Sequence, residues 1–145
     1  MPIQNAQQEV DNRLDPTLST VSIDGYQLTE FQPGQEPWTD TPQGDSNTVT
    51  GDAFGSGIAA YKDSRAHQYT INTTAFEKFY QDKILPDVHA FMKAPHEFDG
   101  VNQFEHAHAK FAYLTRDPTI GSNLENANRT LVFSTVNGST EPAPK

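Results

Sequence analysis

The stretch from residue 51 to residue 92 constrains the fold more than any other. A glycine-punctuated segment, Gly51-Asp-Ala-Phe-Gly-Ser-Gly57, leads to an alternating run, Arg65-Ala-His-Gln-Tyr-Thr-Ile-Asn72, and a helical pattern follows at once from Thr74 to Leu85. Side chains of a strand repeat every two residues and those of a helix every 3.6, so the pattern predicts a strand feeding one helix. Thr74 with Glu77 three residues on forms a capping box. Phe76, Phe79, Tyr80, Ile84, Val88 and Phe91 fall on one helical face and are the expected core residues, with Glu77, Lys78, Gln81 and Asp82 opposite. Pro86 has no N–H to donate and clashes with the preceding turn, so a kink is expected, with a second short helix from Pro86 through Met92.

The remaining periodic segments read as strands. Val21 and Ile23 alternate with polar neighbours before Asp24-Gly25, which signals either a hairpin or a strand with a bulge. Pro33-Gly34 suits a type II turn. Residues 39–52 are polar and read as one long loop. Phe54 to Tyr61 reads as a strand in which Gly55 and Gly57 allow close backbone approach. Gln103 to Thr115 reads as a strand with Ala107, Ala109, Phe111 and Tyr113 on one face, and Thr130 to Val136 as the last strand. The expected class is α+β and mainly β: a small antiparallel β-barrel or sandwich with one flanking α-helix. The expected organisation is a polar arm over residues 1–17, one β-rich domain over 18–137 and a loose tail over 138–145.

A chain of 145 residues suits a single domain, which at this length buries roughly two-thirds of its unfolded surface. Only 34% of the residues are hydrophobic, so long polar stretches lie outside the core and gain order from neighbours. The net charge of −9 argues against a general nucleic-acid binder, which needs a basic patch to displace phosphate counterions. The absence of cysteine excludes disulfides, thiolate metal sites and cysteine catalysis. No apolar run reaches the length of a membrane span. The N-terminus has no basic start or apolar stretch, so the expectation is a protein made in a cytoplasm without a signal peptide or membrane partner.

The catalytic inventory is empty. His106-Ala-His108 puts two imidazoles on one side of a strand, at metal-ligand spacing. Gly100 ahead of the pair looks like the opening of a cupin motif, but the glutamate that should follow is absent, and no metal or cofactor is expected. There is no Gly-x-Ser-x-Gly elbow and no phosphate-binding loop. Trp38, Phe54 and Tyr61 are candidate interface anchors beside the polar loop, and its acids Asp40, Asp45 and Asp52 are candidate interface residues with them. Trp38, Tyr61 and Tyr69 would be the stacking platforms of a glycan-binding alternative.

The order of these features resembles the tail tube proteins of contractile-tailed bacteriophages and related injection systems. The similar elements are the strand ending in Asp24-Gly25, the Phe31-x-x-Gly34 turn, the polar loop, the Gly51–Gly57 segment, and the Tyr69-Thr-Ile-Asn72 strand before the helix. The resemblance spans roughly residues 19–92. Pro86 inside the helix and the very polar arm depart from it. The resemblance implies a structural virion protein and not an enzyme: a subunit of hexameric rings that stack into a tube and conduct DNA to the host. It implies partners in further copies of the chain, the tail sheath and the baseplate, with DNA passing through the lumen unbound. Acidic or neutral side chains along such a lumen would keep phosphate from sticking. A tail terminator, neck or baseplate protein is the neighbouring alternative, and a small cupin-like metal-binding protein the one from another class.

Overall fold

A computed structural model describes residues 19–32, 35–51, 55–120 and 127–143. The expected arm, the Pro33-Gly34 turn, Asp52 and Phe54 lie outside these residues. Strands dominate. β1 (Thr20–Ile23) and β2 (Tyr26–Gln27) form a tight hairpin. Its two loop residues, Asp24 and Gly25, have φ of 54° and 84°, the left-handed pair a type I′ turn demands. The hairpin reading of Asp24-Gly25 therefore holds over the bulge.

Residues 39–52 are not one loop. β3 (Trp38–Pro42) pairs along β6 (His67–Thr74), and β4 (Asn47–Gly51) pairs with β5 (Gly57–Tyr61) in a separate two-stranded hairpin. A ladder to a neighbouring strand satisfies the backbone whatever the side chains are, so threonine and asparagine suffice once Trp38 anchors the start of β3 in the core. Polarity marked the exposure of these residues and hid their pairing.

Only short helical pieces follow β6. Tyr80–Ile84 is a π-helical turn, and α1 spans Val88–Lys93. The expected capping box does not form, because Thr74 still belongs to β6 and pairs with Asn128. α1 is capped instead by Asp87, whose Oδ1 accepts from Ala90 N at 3.1 Å. Phe79, Tyr80, Ile84 and Phe91 are buried, and Val88 packs against the core partly exposed. Phe76 is the exception at 60% exposed: it sits in the turn after β6, ahead of the helical residues, where helical spacing does not apply.

β7 (His96–Val101), β8 (Glu105–Leu114), β9 (Thr119–Ile120), β10 (Asn128–Thr135) and β11 (Ser139–Pro142) complete an antiparallel sheet. Its path is β2-β1-β7-β8-β10-β6-β3, with β11 on β8 and β9 on β10. β10 and β11 meet β8 in one register, Ser134 opposite Tyr113 and Ser139 opposite His108. They act as one long strand broken at residues 136–138. The tail expected to be loose from 138 therefore contains a paired strand, held by backbone bonds its polar sequence did not announce.

The sheet folds over on itself as a sandwich and does not close as a barrel. Tyr69 of β6 stacks on Phe98 of β7, ring centroids 4.0 Å apart. Trp38 of β3 meets Phe98 edge-on at 6.0 Å. Gly100 of β7 makes room for it, since a Cβ there would lie 2.9 Å from the indole. β8 departs from the simple alternation expected of it. Lys110 and Phe111 are both exposed in sequence, and the pairing with β7 shifts between His96 and Phe98. This bulge changes the phase: Ala107 and Ala109 are buried before it, Ala112 and Leu114 after it, and Phe111 and Tyr113 face outward.

Candidate interaction surfaces

The sequence-chosen residues do not converge on one site. Trp38 is only 9% exposed, in the core, and its indole Nε1 has no hydrogen-bond partner among the described residues. Asp40 is tied inward: Oδ1 lies 2.7 Å from His67 Nδ1, and Oδ2 accepts from Thr140 Oγ1 at 3.3 Å. Asp45 is exposed in the turn between β3 and β4. Tyr61 is 71% exposed at the end of β5. Trp38 and the fully buried Tyr69 cannot stack on a glycan. Burial and, second, the nearby Asp40 charge push the Tyr69 phenol well above the ordinary tyrosine value.

His106 and His108 lie beside carboxylates. His106 Nε2 is 2.7 Å from Asp99 Oδ1, and Glu141 Oε1 is 3.3 Å from His106 Nδ1 and 3.1 Å from His108 Nε2. These contacts stitch β7, β8 and β11 together. Among the described residues no group of three or more histidine or acidic side chains is arranged to hold a metal ion. Two histidines at strand spacing here form a cross-strand polar seam with Asp99 and Glu141.

Three surfaces stand out. The first is the outer edge of β3, which ends the sheet path. Among the described residues no strand pairs with it, so its outward N–H and C=O groups form a template for another strand. The second is the β4–β5 hairpin, exposed at every position. It shows Val49 at 75%, Ile58 at 74% and Tyr61 at 71% exposure, and a lone hairpin is marginal in water. The third is an apolar groove of about 620 Å³ beside Phe111, Tyr113 and Val136. Sequence alternation predicted Phe111 and Tyr113 on one face and missed the bulge that turns that face outward.

The face of the sandwich opposite the core also has a distinct chemistry. β3 contributes Thr39 and Thr41, β6 Gln68, Thr70 and Asn72, and β10 Asn128, Thr130, Ser134 and Val132, the last itself buried. None of these nine is charged. Charged residues make up 20% of the chain, so nine average positions would carry about two. The outward face of β7, β8 and β11 differs, with Glu97, Asp99, His106, His108, Lys110 and Glu141. Among the described residues no helix is long and apolar enough to cross a membrane.

This sandwich is a fold shared with chains of a contractile sheath–tube complex, a tube-terminating cap and a sheath/tube terminator. A chain of the extended PVC sheath–tube complex, an extracellular contractile injection system, superposes with a TM-score of 0.62 at 9% identity, covering 95% of this chain and 97% of that one. The tube-terminating cap of the anti-feeding prophage gives 0.58 at 11% identity over 90% and 92%. The PVC sheath/tube terminator gives 0.54 at 8% identity over 85% and 92%. No protein-family model matches the chain, and no curated protein matches it in sequence. The likeness to tail tube proteins carried by the order of sequence features is met at the level of fold.

Proposed function

We propose that this chain is a non-enzymatic structural subunit of a phage or phage-like tail tube. Copies join edge to edge into rings, hexameric in this reading, and the rings stack into a tube that conducts DNA to a host. The observation that supports it is the near end-to-end match of both chains in the sheath–tube comparison, so that one fold runs through nearly the whole of each. The free edge of β3 and the unsupported β4–β5 hairpin fit the same reading. They are different surfaces of one chain, so contacts that use them are head-to-tail, and head-to-tail contacts generate rings and open stacks. Partners are then further copies, a sheath around the tube and a baseplate below it. The site of action is the virion tail, after synthesis in the host bacterium.

Electron microscopy of the purified chain tests this. Rings, and tubes at high concentration, are the expected result. Monomers at every concentration and salt would overturn it. A tube terminator is the second reading, favoured by the terminator-like matches. It predicts rings that never propagate, because a terminator offers only one stacking face.

A further inference from the structure

We infer that Asn137 is a latent modification site, a deamidation centre that the corner between β10 and β11 guards and that opens when β11 lifts away. The inference stands apart from the tube reading. Asn137-Gly138 is the one Asn-Gly pair in the chain. Asparagine before glycine is the arrangement most open to deamidation, because the following residue has no Cβ to hinder ring closure. The Gly138 nitrogen gives its proton to solvent hydroxide and attacks Asn137 Cγ. The new N–Cγ bond closes a succinimide, the Cγ–Nδ2 bond breaks, and the amide leaves with a proton from water as ammonia. Water then opens the ring at either carbonyl. One opening gives aspartate. The other gives isoaspartate, in which the backbone runs through the side chain and is a methylene longer. Either product carries a carboxylate where the amide stood.

The folded corner opposes the first step. Gly138 is buried, and its N–H donates to Arg65 O at 2.8 Å, so the attacking nitrogen is occupied. Asn137 N–H donates to Thr135 Oγ1 at 3.1 Å, which fixes the backbone ahead of the side chain. Nor is there room for a longer backbone: even a Cβ on Gly138 would lie 2.6 Å from His67 Cδ2 and from the Tyr69 hydroxyl. Asn137 itself is exposed at the rim of the apolar groove, within reach of water and base. β11 holds this corner shut with few contacts. It pairs with β8 from Ser139 to Pro142, and Ala143 N donates to Phe104 O at 2.9 Å beyond it. A short strand near the chain end opens at less cost than the whole fold. Each opening frees the Gly138 N–H, and isoaspartate, once formed, does not fit back under His67 and Tyr69. The corner thus converts a transient opening of β11 into a permanent carboxylate beside Phe111 and Tyr113.

Peptide mass spectrometry of the full chain, after timed incubation in mildly alkaline buffer with and without urea, tests this. An isoaspartyl methyltransferase assay reads the isoaspartate independently. In urea Asn137 should convert well ahead of Asn47, Asn72 and Asn102, which precede threonine, threonine and glutamine. In the folded chain its conversion should be slower by at least about tenfold. Glu141→Pro removes a strand N–H and the carboxylate that lies beside His106 and His108. It should speed conversion in the folded chain by at least about threefold and leave the rate in urea unchanged. Glu141→Ala is the milder second variant, expected to act in the same direction, and the urea midpoint of each reports that it is folded. Equal rates for the folded and the urea-treated wild type would overturn the guard. An Asn137 no faster in urea than the other asparagines would overturn the site. A folded-state rate unmoved by either variant would overturn the part assigned to β11.

Discussion

Glu77 and Thr29 stand 48 residues apart in sequence, yet the Glu77 carboxylate accepts the Thr29 backbone N–H at 2.9 Å. The same oxygen accepts from Glu30 N at 2.8 Å, and the side chain is fully buried. A residue expected on the polar face of a helix is instead the clamp that fixes the segment after β2 against the turn after β6. Buried backbone N–H groups need partners, and a carboxylate supplies strong ones. Glu77→Ala removes the acceptor of the Thr29 and Glu30 N–H groups and, on its other oxygen, that of Phe79 N at 3.4 Å. The expected loss of stability is about 3 kcal/mol, read from the urea midpoint, with Glu97→Ala on the surface near zero as the control.

Much of the architecture was legible because it depends on local pattern. His67, Tyr69 and Ile71 alternate, so β6 was visible, and Asp24-Gly25 announced its hairpin by turn chemistry. What was not legible depends on partners far away in sequence. Thr39 and Thr41 form a strand only because β6 lies beside them, and Ser139 to Pro142 only because β8 does. The bulge at Lys110 and Phe111 reverses the phase of one strand, which no alternation count reveals. The neutral face was equally hidden, since its members come from strands separated by up to a hundred residues and become one surface only through register.

Gly100 and Trp38 give the second expectation. A Cβ at Gly100 would stand 2.9 Å from two indole carbons, closer than packed atoms tolerate. Gly100→Ala should therefore destabilise the sandwich by about 1–3 kcal/mol. Trp38→Phe vacates part of that space. The double variant should lose clearly less than the sum of the two single losses, since contacting residues couple. Simple additivity in a urea double-mutant cycle would mean that the two layers do not meet at this pair.

Tyr69 sets the alkaline limit. Its phenol titrates above the ordinary value in the folded chain because it is buried beside Asp40. Up to about pH 9 the phenol is protonated in both states, and its contribution to stability is fully present. Above about pH 10 the unfolded chain releases this proton while the folded chain keeps it, so stability falls as pH rises. Tyr69→Phe has no proton to release. Its thermal midpoint should decline less steeply between pH 9 and 11 than that of the wild type, whatever its value at neutral pH, and parallel declines would count against the argument.

The β4–β5 hairpin gives the prediction that separates folding from assembly. Val49 and Ile58 are about three-quarters exposed, and among the described residues the two strands pair only with each other. Neither side chain supports the core, so Val49→Lys with Ile58→Lys should leave the urea midpoint of the single chain within about 0.5 kcal/mol of the wild type. In a tube both residues are covered by a neighbouring copy, and burying an unpaired ammonium is costly. Sedimentation velocity should then show the double variant as monomer at concentrations where the wild type forms rings. Full assembly by this variant would mean that the hairpin is not a contact and that the apolar groove beside Phe111 and Tyr113 acts without it. Loss of folding would mean instead that the hairpin is braced by its own chain, and the case for head-to-tail contact would then rest on the edge of β3.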